Sequence, residues 1–252
     1  MVRGYRELAD ELEQRINAGE FRQGGTLPRI SELEERYGLA RQTVRDAIAV
    51  LADKGLVYTR RKAGTIVRHR TPVLIPLSRY GRVLSPGGTK GPWETATAAQ
   101  GLDGSVELVD VRHETAEGAP SGVRDLGSED VVRRTRHALI RPDDVVQIQH
   151  AWYARDLAES AGLAGRRKID GGVYAALSAA GHVPATASET VSARMPTEQE
   201  AGRLGVGGKI PVLCIERLTK DSAGRPLEFL RVVTPADRVR LVYGNLPLAG
   251  TE

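Results

Sequence analysis

Gly38 separates two runs of helical periodicity, and that single residue fixes much of what the first seventy can become. Before it, Ile30, Leu33 and Tyr37 recur at helical spacing; after it, Val44, Ala47, Ile48 and Leu51 form the apolar stripe of a longer helix that stops at Gly55. Glycine closes a helix in the left-handed conformation without steric cost, so a tight turn is expected between the two helices. Upstream, Tyr5, Leu8, Ala9, Leu12 and Ile16 mark another amphipathic helix ending at Gly19, and Gly24, Gly25 and Pro28 break the chain before the next. Two helices joined by a short turn and braced by a third make a helix-turn-helix.

The outer face of the third helix carries Arg41, Gln42 and Arg45, away from its apolar stripe. Guanidinium groups bond guanine edges or phosphates bidentately, and a glutamine reads adenine or bonds a phosphate; at a helix N-terminus such side chains reach the groove first. Residues 56–59 and 65–68 then alternate as two short strands around the turn Arg60, Arg61, Lys62, Ala63, Gly64, a hairpin wing whose cationic tip suits a minor groove or adjacent phosphates. Charge placement agrees. The net charge is +4, residues 1–70 hold 14 Lys/Arg against 10 Asp/Glu, and residues 71–252 hold 22 of each, so the whole excess lies in the first segment. A polyanion is the partner such a distribution favours.

These residues resemble the winged helix-turn-helix of the GntR family of bacterial transcription regulators. The matching positions are Tyr5, Leu8, Ile16, Gly19, Gly25, Leu27, Pro28, Leu33, Tyr37, Gly38, Arg41, Thr43, Val44, Arg45, Ala47, Leu51, Gly55, Leu56, Val57, Gly64 and Thr65. The resemblance implies that Arg41, Gln42, Thr43 and Arg45 contact double-stranded operator DNA from the recognition helix, with Arg61, Lys62 and Gly64 at the wing. Many members carry an arginine in the second helix where this chain has Ser31, and Arg29 is the nearest substitute.

Residues 71–104 are punctuated by Pro72, Pro76, Pro86, Gly87, Gly88, Gly91 and Pro92 and read as a linker, interrupted by Arg79, Tyr80, Trp93 and Glu94, bulky enough for part of it to pack on a domain. Beyond it, strands are expected over residues 106–114, 130–140, 145–153, 186–195, 212–220 and 227–234, with helices over 173–180 and 197–204, the latter opened by Thr197 with Glu200 three residues on. Mostly antiparallel strands with separate helices predict an α+β domain over residues 105–248, after the DNA-binding domain 1–70.

This order resembles the UTRA effector-binding domain of the HutC branch of GntR regulators, whose fold is similar to chorismate lyase. Its landmarks are Arg134, Thr135 and Arg136 before a hairpin, Val173 and Tyr174 followed by Leu177 and Gly181, and Asp221 through Gly224 and Pro226 to Glu228. On a strand Arg134 and Arg136 share a face and could converge on one anion, while Arg133 points away. Read alone, the pair slightly favours a solvent-facing cationic strand salt-bridged to its neighbours. The resemblance turns it toward an anionic effector and adds Gln149, Tyr174 and Glu228 to the ligand's surroundings. Gly172 stands where a helix-opening serine is expected, and Gln149 where an acidic residue is; both changes count against a sugar phosphate.

Other chemistry is not indicated. The five histidines and Cys214 lack metal-ligand spacing, Cys214 lies in an apolar run that suits a buried thiol, and no Ser-His-Asp pattern stands out. No apolar run reaches membrane length and no signal peptide is apparent. The expectation is a cytoplasmic, cofactor-free, non-enzymatic repressor: a homodimer on a palindromic operator, modulated by a small anionic effector. The alternatives are a lyase-like enzyme fused to a DNA-binding module, and a DNA binder with no ligand.

Overall fold

The computed structural model describes residues 2–60, 62–76, 91–142, 144–167, 169 and 171–244. The chain divides into two units, one holding the residues up to Thr71 together with Arg194–Val212, the other Pro72–Ala193 and the chain from Leu213 onward.

In the first unit, α1 (Tyr5–Asn17), α2 (Ile30–Tyr37) and α3 (Arg41–Asp53) precede strands β1 (Val57–Arg60) and β2 (Gly64–Val67), an antiparallel pair. The predicted stripes are the core: Leu8, Leu12, Leu33, Val44, Ala47 and Leu51 are wholly buried. Gly38 closes α2 in the left-handed region at φ 65°, its N–H donating to the Glu34 carbonyl, and α3 begins three residues later. Polar links join the helices. Arg15 Nη1 donates to the Tyr37 hydroxyl at 2.8 Å, which donates to Glu11 Oε1 at 2.7 Å, and Lys54 Nζ pairs with Glu13 of α1 at 2.5 Å. The wing is fastened at its base, where Thr26 bridges Ile66 and the buried Arg68 donates to the Gly55 carbonyl at 2.9 Å.

The same unit contains the excursion 194–212. It holds a short helix whose Thr197 forms the expected capping box with Glu200 and whose C-cap, Gly205, is left-handed at φ 59°. Gly205 lies against the Tyr58 ring, a Cβ on Gly207 would collide with the Ala52 carbonyl oxygen, and Lys209 Nζ pairs with Asp53 at 2.6 Å. The excursion thus rests on the C-terminal end of α3 and on β1. Arg194, bidentate on Glu200, together with the Thr197 backbone N–H, pushes the Glu200 carboxyl from about 4.5 down to about 2. A depressed carboxyl stabilises the fold above its ordinary value and stops doing so as pH falls through the folded value. Protection of residues 198–204 in hydrogen exchange should therefore fall between pH about 4.5 and about 2, and Glu200→Gln should show the low-protection pattern already at pH 6.

The second unit is built on a six-stranded antiparallel sheet. The strands are β4 (Ser105–Thr115), β5 (Asp130–Arg141), β6 (Asp144–Ala154), β7 (Pro184–Arg194), β8 (Val212–Asp221) and β9 (Pro226–Pro235), in the order β4-β5-β6-β9-β8-β7. Alternation assigns its faces. Val132, Ala151, Tyr153 and Leu230 pack with Leu157 and Ala158 of α5 (Arg155–Ser160) and with Tyr174 and Leu177 of α6 (Val173–Ala179). On the other face Val131, Trp152 and Phe229 pack with Val123 and Leu126 of a 3-10 turn. The α+β reading and the order of these strands hold.

The stretch expected as a linker contains structure: β3 (Val73–Pro76) and α4 (Pro92–Ala98). Strand β3 pairs in parallel with β10 (Val239–Val242), and Trp93 of α4 is buried, its Nε1 donating to the Leu139 carbonyl at 2.9 Å.

Candidate functional site

Two separate sets of residues carry the predicted chemistry. In the first unit, Arg41, Gln42 and Arg45 are exposed along the first turn and a half of α3, opposite the buried Val44, Ala47, Ile48 and Leu51, and Thr43 is half-buried beside them. Gln42 Nε2 donates to Asp46 Oδ1 at 2.8 Å, which holds its amide along the helix surface. Arg29 is exposed immediately before α2, its backbone N–H donating to Glu32 Oε2. At the wing, Lys62 takes positive φ (68°) and Gly64 does so at 88°, both exposed; Arg61 lies outside the described residues.

In the second unit, all five predicted effector residues line one cavity of about 880 Å³. Period two explains why. Arg134 and Arg136 on β5, Gln147 and Gln149 on β6, Glu228, Leu230 and Val232 on β9, and Ile215 and Arg217 on β8 are alternate residues on the face that also receives α6. Trp93 and Glu94 of α4 and Glu107 of β4 line it too, and none of the three was singled out as a site residue from the sequence.

The two arginines of β5 differ in what they can still bind. Arg134 is buried, its Nη1 donating to the Leu163 and Gly165 carbonyls at 2.5 and 2.8 Å and its Nη2 to Arg167 O at 3.0 Å, so it clamps the loop 163–167. Burial lowers its pKa. Arg136 makes no hydrogen bond or ion pair with any described residue, and its buried Nε lacks a partner. The convergence of both on one anion, expected from spacing, therefore meets a competing set of acceptors at Arg134. Arg133, as expected, turns the other way, toward Glu114 at 3.5 Å.

The remaining polar groups form a fixed wall. Glu228, almost wholly buried, accepts from the Tyr153 hydroxyl at 2.5 Å and the Tyr174 hydroxyl at 3.2 Å, and Tyr174 also lies 3.2 Å from Thr219 Oγ1. Burial first, then the Glu228 charge, pushes the Tyr153 phenol well above its ordinary value, so it stays protonated and donating. Arg217 is held by Glu189 of β7, its Nε donating at 2.8 Å. Gln149 Nε2 donates to Gln147 Oε1 at 2.9 Å.

Comparison with known proteins agrees over both units. A family model described as bacterial regulatory proteins, gntR family, matches residues 4–67, and the UTRA domain model matches residues 99–240. The chain belongs to the GntR family. Its order of domains is that of the HutC branch, and it is a DNA-binding transcription regulator. It is similar to an uncharacterized HTH-type transcriptional regulator of Rhizobium meliloti, 28% identical over 94% of this chain and 93% of that protein. It is also similar to the HTH-type transcriptional repressor NagR of Bacillus subtilis, 25% identical over 95% of this chain and 93% of that one. Among solved structures, PhnF from Mycobacterium smegmatis shares the fold with a TM-score of 0.59 at 23% identity, covering 96% of this chain and 99% of that chain. Among the described residues no group of three or more His, Cys, Asp or Glu side chains could hold a metal ion, and no helix is long and apolar enough to cross a membrane.

Proposed function

We propose that this GntR regulator is a repressor whose homodimer binds a palindromic operator through Arg41, Gln42, Thr43 and Arg45, with Arg29, Arg61, Lys62 and Gly64 on flanking phosphates and grooves. A small anionic effector, seated in the cavity of the second unit, modulates that binding. The observation that carries the effector reading is Arg136: a cavity-lining guanidinium with no partner among the described residues. An anion supplies the charge-assisted bonds it lacks. Glu94 and Glu107 line the same space and disfavour a second anionic group, so the rest of the effector carries hydroxyl or amine donors, with Gln149, Tyr174 and Glu228 around them.

The test is Arg136→Ala. Operator affinity should stay within about twofold, since the side chain lies in the other unit, while the effector concentration needed for half response rises at least about tenfold. A normal response removes Arg136 from the site.

Coupling has a covalent route. Arg217 lines the cavity and Glu189 holds it, on β8 and β7, and these strands run directly into the two ends of the excursion that rests on α3 and β1. A ligand shifts the DNA-binding unit only if it has different affinities for two arrangements of that excursion. Gly207→Ala forces the excursion off Ala52 and should leave effector affinity intact while shrinking the effector's influence on operator affinity severalfold. Lys209→Ala removes only an exposed ion pair and should change coupling by less than about twofold. Titration of each variant with effector, with and without DNA, separates these outcomes.

A further inference from the structure

The two ends of the cavity differ in chemistry. At the level of Arg136 the register across the sheet reads Leu108 on β4, Arg136 on β5, Gln149 on β6 and Val232 on β9, and β8 beyond them contributes Ile215. Three strand spacings, about 14 Å, separate β5 from β8. The lining groups that can answer a ligand's charge lie at the β5 end: Arg136 itself, and Glu94 and Glu107 on α4 and β4, which pack on each other next to β5. Gln147 and Gln149, both buried and bonded to each other at 2.9 Å, add a neutral polar patch beside Arg136.

At the β8 end the charges are consumed within the protein. Arg217 is paired with Glu189, and Glu228 accepts from the Tyr153 and Tyr174 hydroxyls. Val232, Leu230 and Ile215 make the floor there, and Val173 of α6 lines the same cavity. Even Trp93 of α4 offers only ring surface, since its indole N–H is donated to the Leu139 carbonyl. A ligand hydroxyl placed over Val232 and Ile215 would give up its water partners and find no replacement, which costs affinity.

From this we infer that the effector is an organic monoanion with a hydrocarbon body: a carboxylate whose head sits on Arg136 and whose chain or ring crosses β6 and β9 to end against Ile215. A carboxylate matches the guanidinium fork, and one charge is enough because Arg134 and Arg217, the other lining cations, are already engaged. Any donor groups the effector carries stand close to its head, beside Gln149. A sugar phosphate fits poorly, because its ring hydroxyls would lie on the apolar stretch. The cavity, about 880 Å³, has room for a body of this kind. The inference rests on the anionic-effector reading above, and it names the part of the molecule that reading leaves open.

The experiment is isothermal titration calorimetry of the full chain with butanoate, hexanoate and octanoate, and with glucose 6-phosphate. A methylene moved from water to an apolar wall is worth up to about fourfold in affinity. Affinity should therefore rise about two- to fourfold per methylene, octanoate binding at least ~16-fold more tightly than butanoate and at least ~10-fold more tightly than the sugar phosphate. Val232→Thr, which keeps the branched shape and adds a hydroxyl, should flatten the rise along the series, whereas Arg136→Ala should weaken every member at least ~10-fold. Affinity that does not depend on chain length, octanoate that fails to bind, or a sugar phosphate that binds as tightly as octanoate would overturn the hydrocarbon body; if that binding still needs Arg136, the anionic reading survives. A length-dependent series unchanged in Arg136→Ala would overturn the placement of the head and the anionic reading with it.

Discussion

Arg134→Ala should cost the second unit about 3–5 kcal/mol and lower its melting temperature by roughly 10 °C, because a buried guanidinium bonded to three backbone carbonyls is replaced by nothing. The loop 163–167 that it clamps should become the first segment of the unit to exchange its amides. Arg134→Lys recovers part of the loss at most, since an ammonium lacks the planar fork that reaches Leu163, Gly165 and Arg167 together. Arg136→Ala, two residues away on the same face, should shift the melting temperature by no more than a degree or two. Differential scanning calorimetry of the two alanine variants checks the contrast. Equal, small shifts would mean that the clamp is not structural.

Removing Arg41 or Arg45 should have the opposite profile. Both side chains are exposed and outside the core, so Arg41→Ala and Arg45→Ala should fold and melt like the parent. Operator affinity should fall ~10- to 100-fold for either, in line with about 1–3 kcal/mol for a bidentate base contact. Salt dependence tells the roles apart: loss of a phosphate contact lowers the slope of log K against log salt by about one, whereas loss of a base contact leaves the slope nearly unchanged and relaxes discrimination against mismatched sites. Full-strength, sequence-selective binding by both variants would show that α3 is not the reading helix.

The first unit was legible because its signals are local. Apolar spacing of three and four, a glycine at each helix end and a short basic hairpin each lie within a few residues, and all reappear in α1 to α3 and the wing. The Thr197 and Glu200 capping box was equally readable. Strand β3 was not, since it forms only by pairing with β10, more than 160 residues away. Helix α4 was hidden for another reason: Gly91-Pro92 looked like a turn, yet proline at the first helical position is a helix opener, and Trp93 and Glu94 behind it were the available hint.

At the cavity, strand alternation brought Arg134 and Arg136 to one face correctly. Their different roles depend on where the loop 163–167 returns, and spacing along β5 holds no information about that loop. The contacts of the excursion 194–212 with α3 and β1 were invisible in the same way: the run Gly205 to Gly208 read as a turn, and the need for glycine at 207 comes from the Ala52 carbonyl.

The regulator should bind DNA upstream of its own gene and answer to a small anion. Fluorescence anisotropy of labelled DNA from the region upstream of its gene, with wild type and Arg136→Ala and a panel of small organic anions, measures both at once. The wild type should bind this DNA at least ~1,000-fold more tightly than scrambled DNA at the same salt, and one or more anions should change that affinity at least tenfold in the wild type but not in Arg136→Ala. Equal affinity for scrambled DNA, or a response that survives in Arg136→Ala, would contradict it.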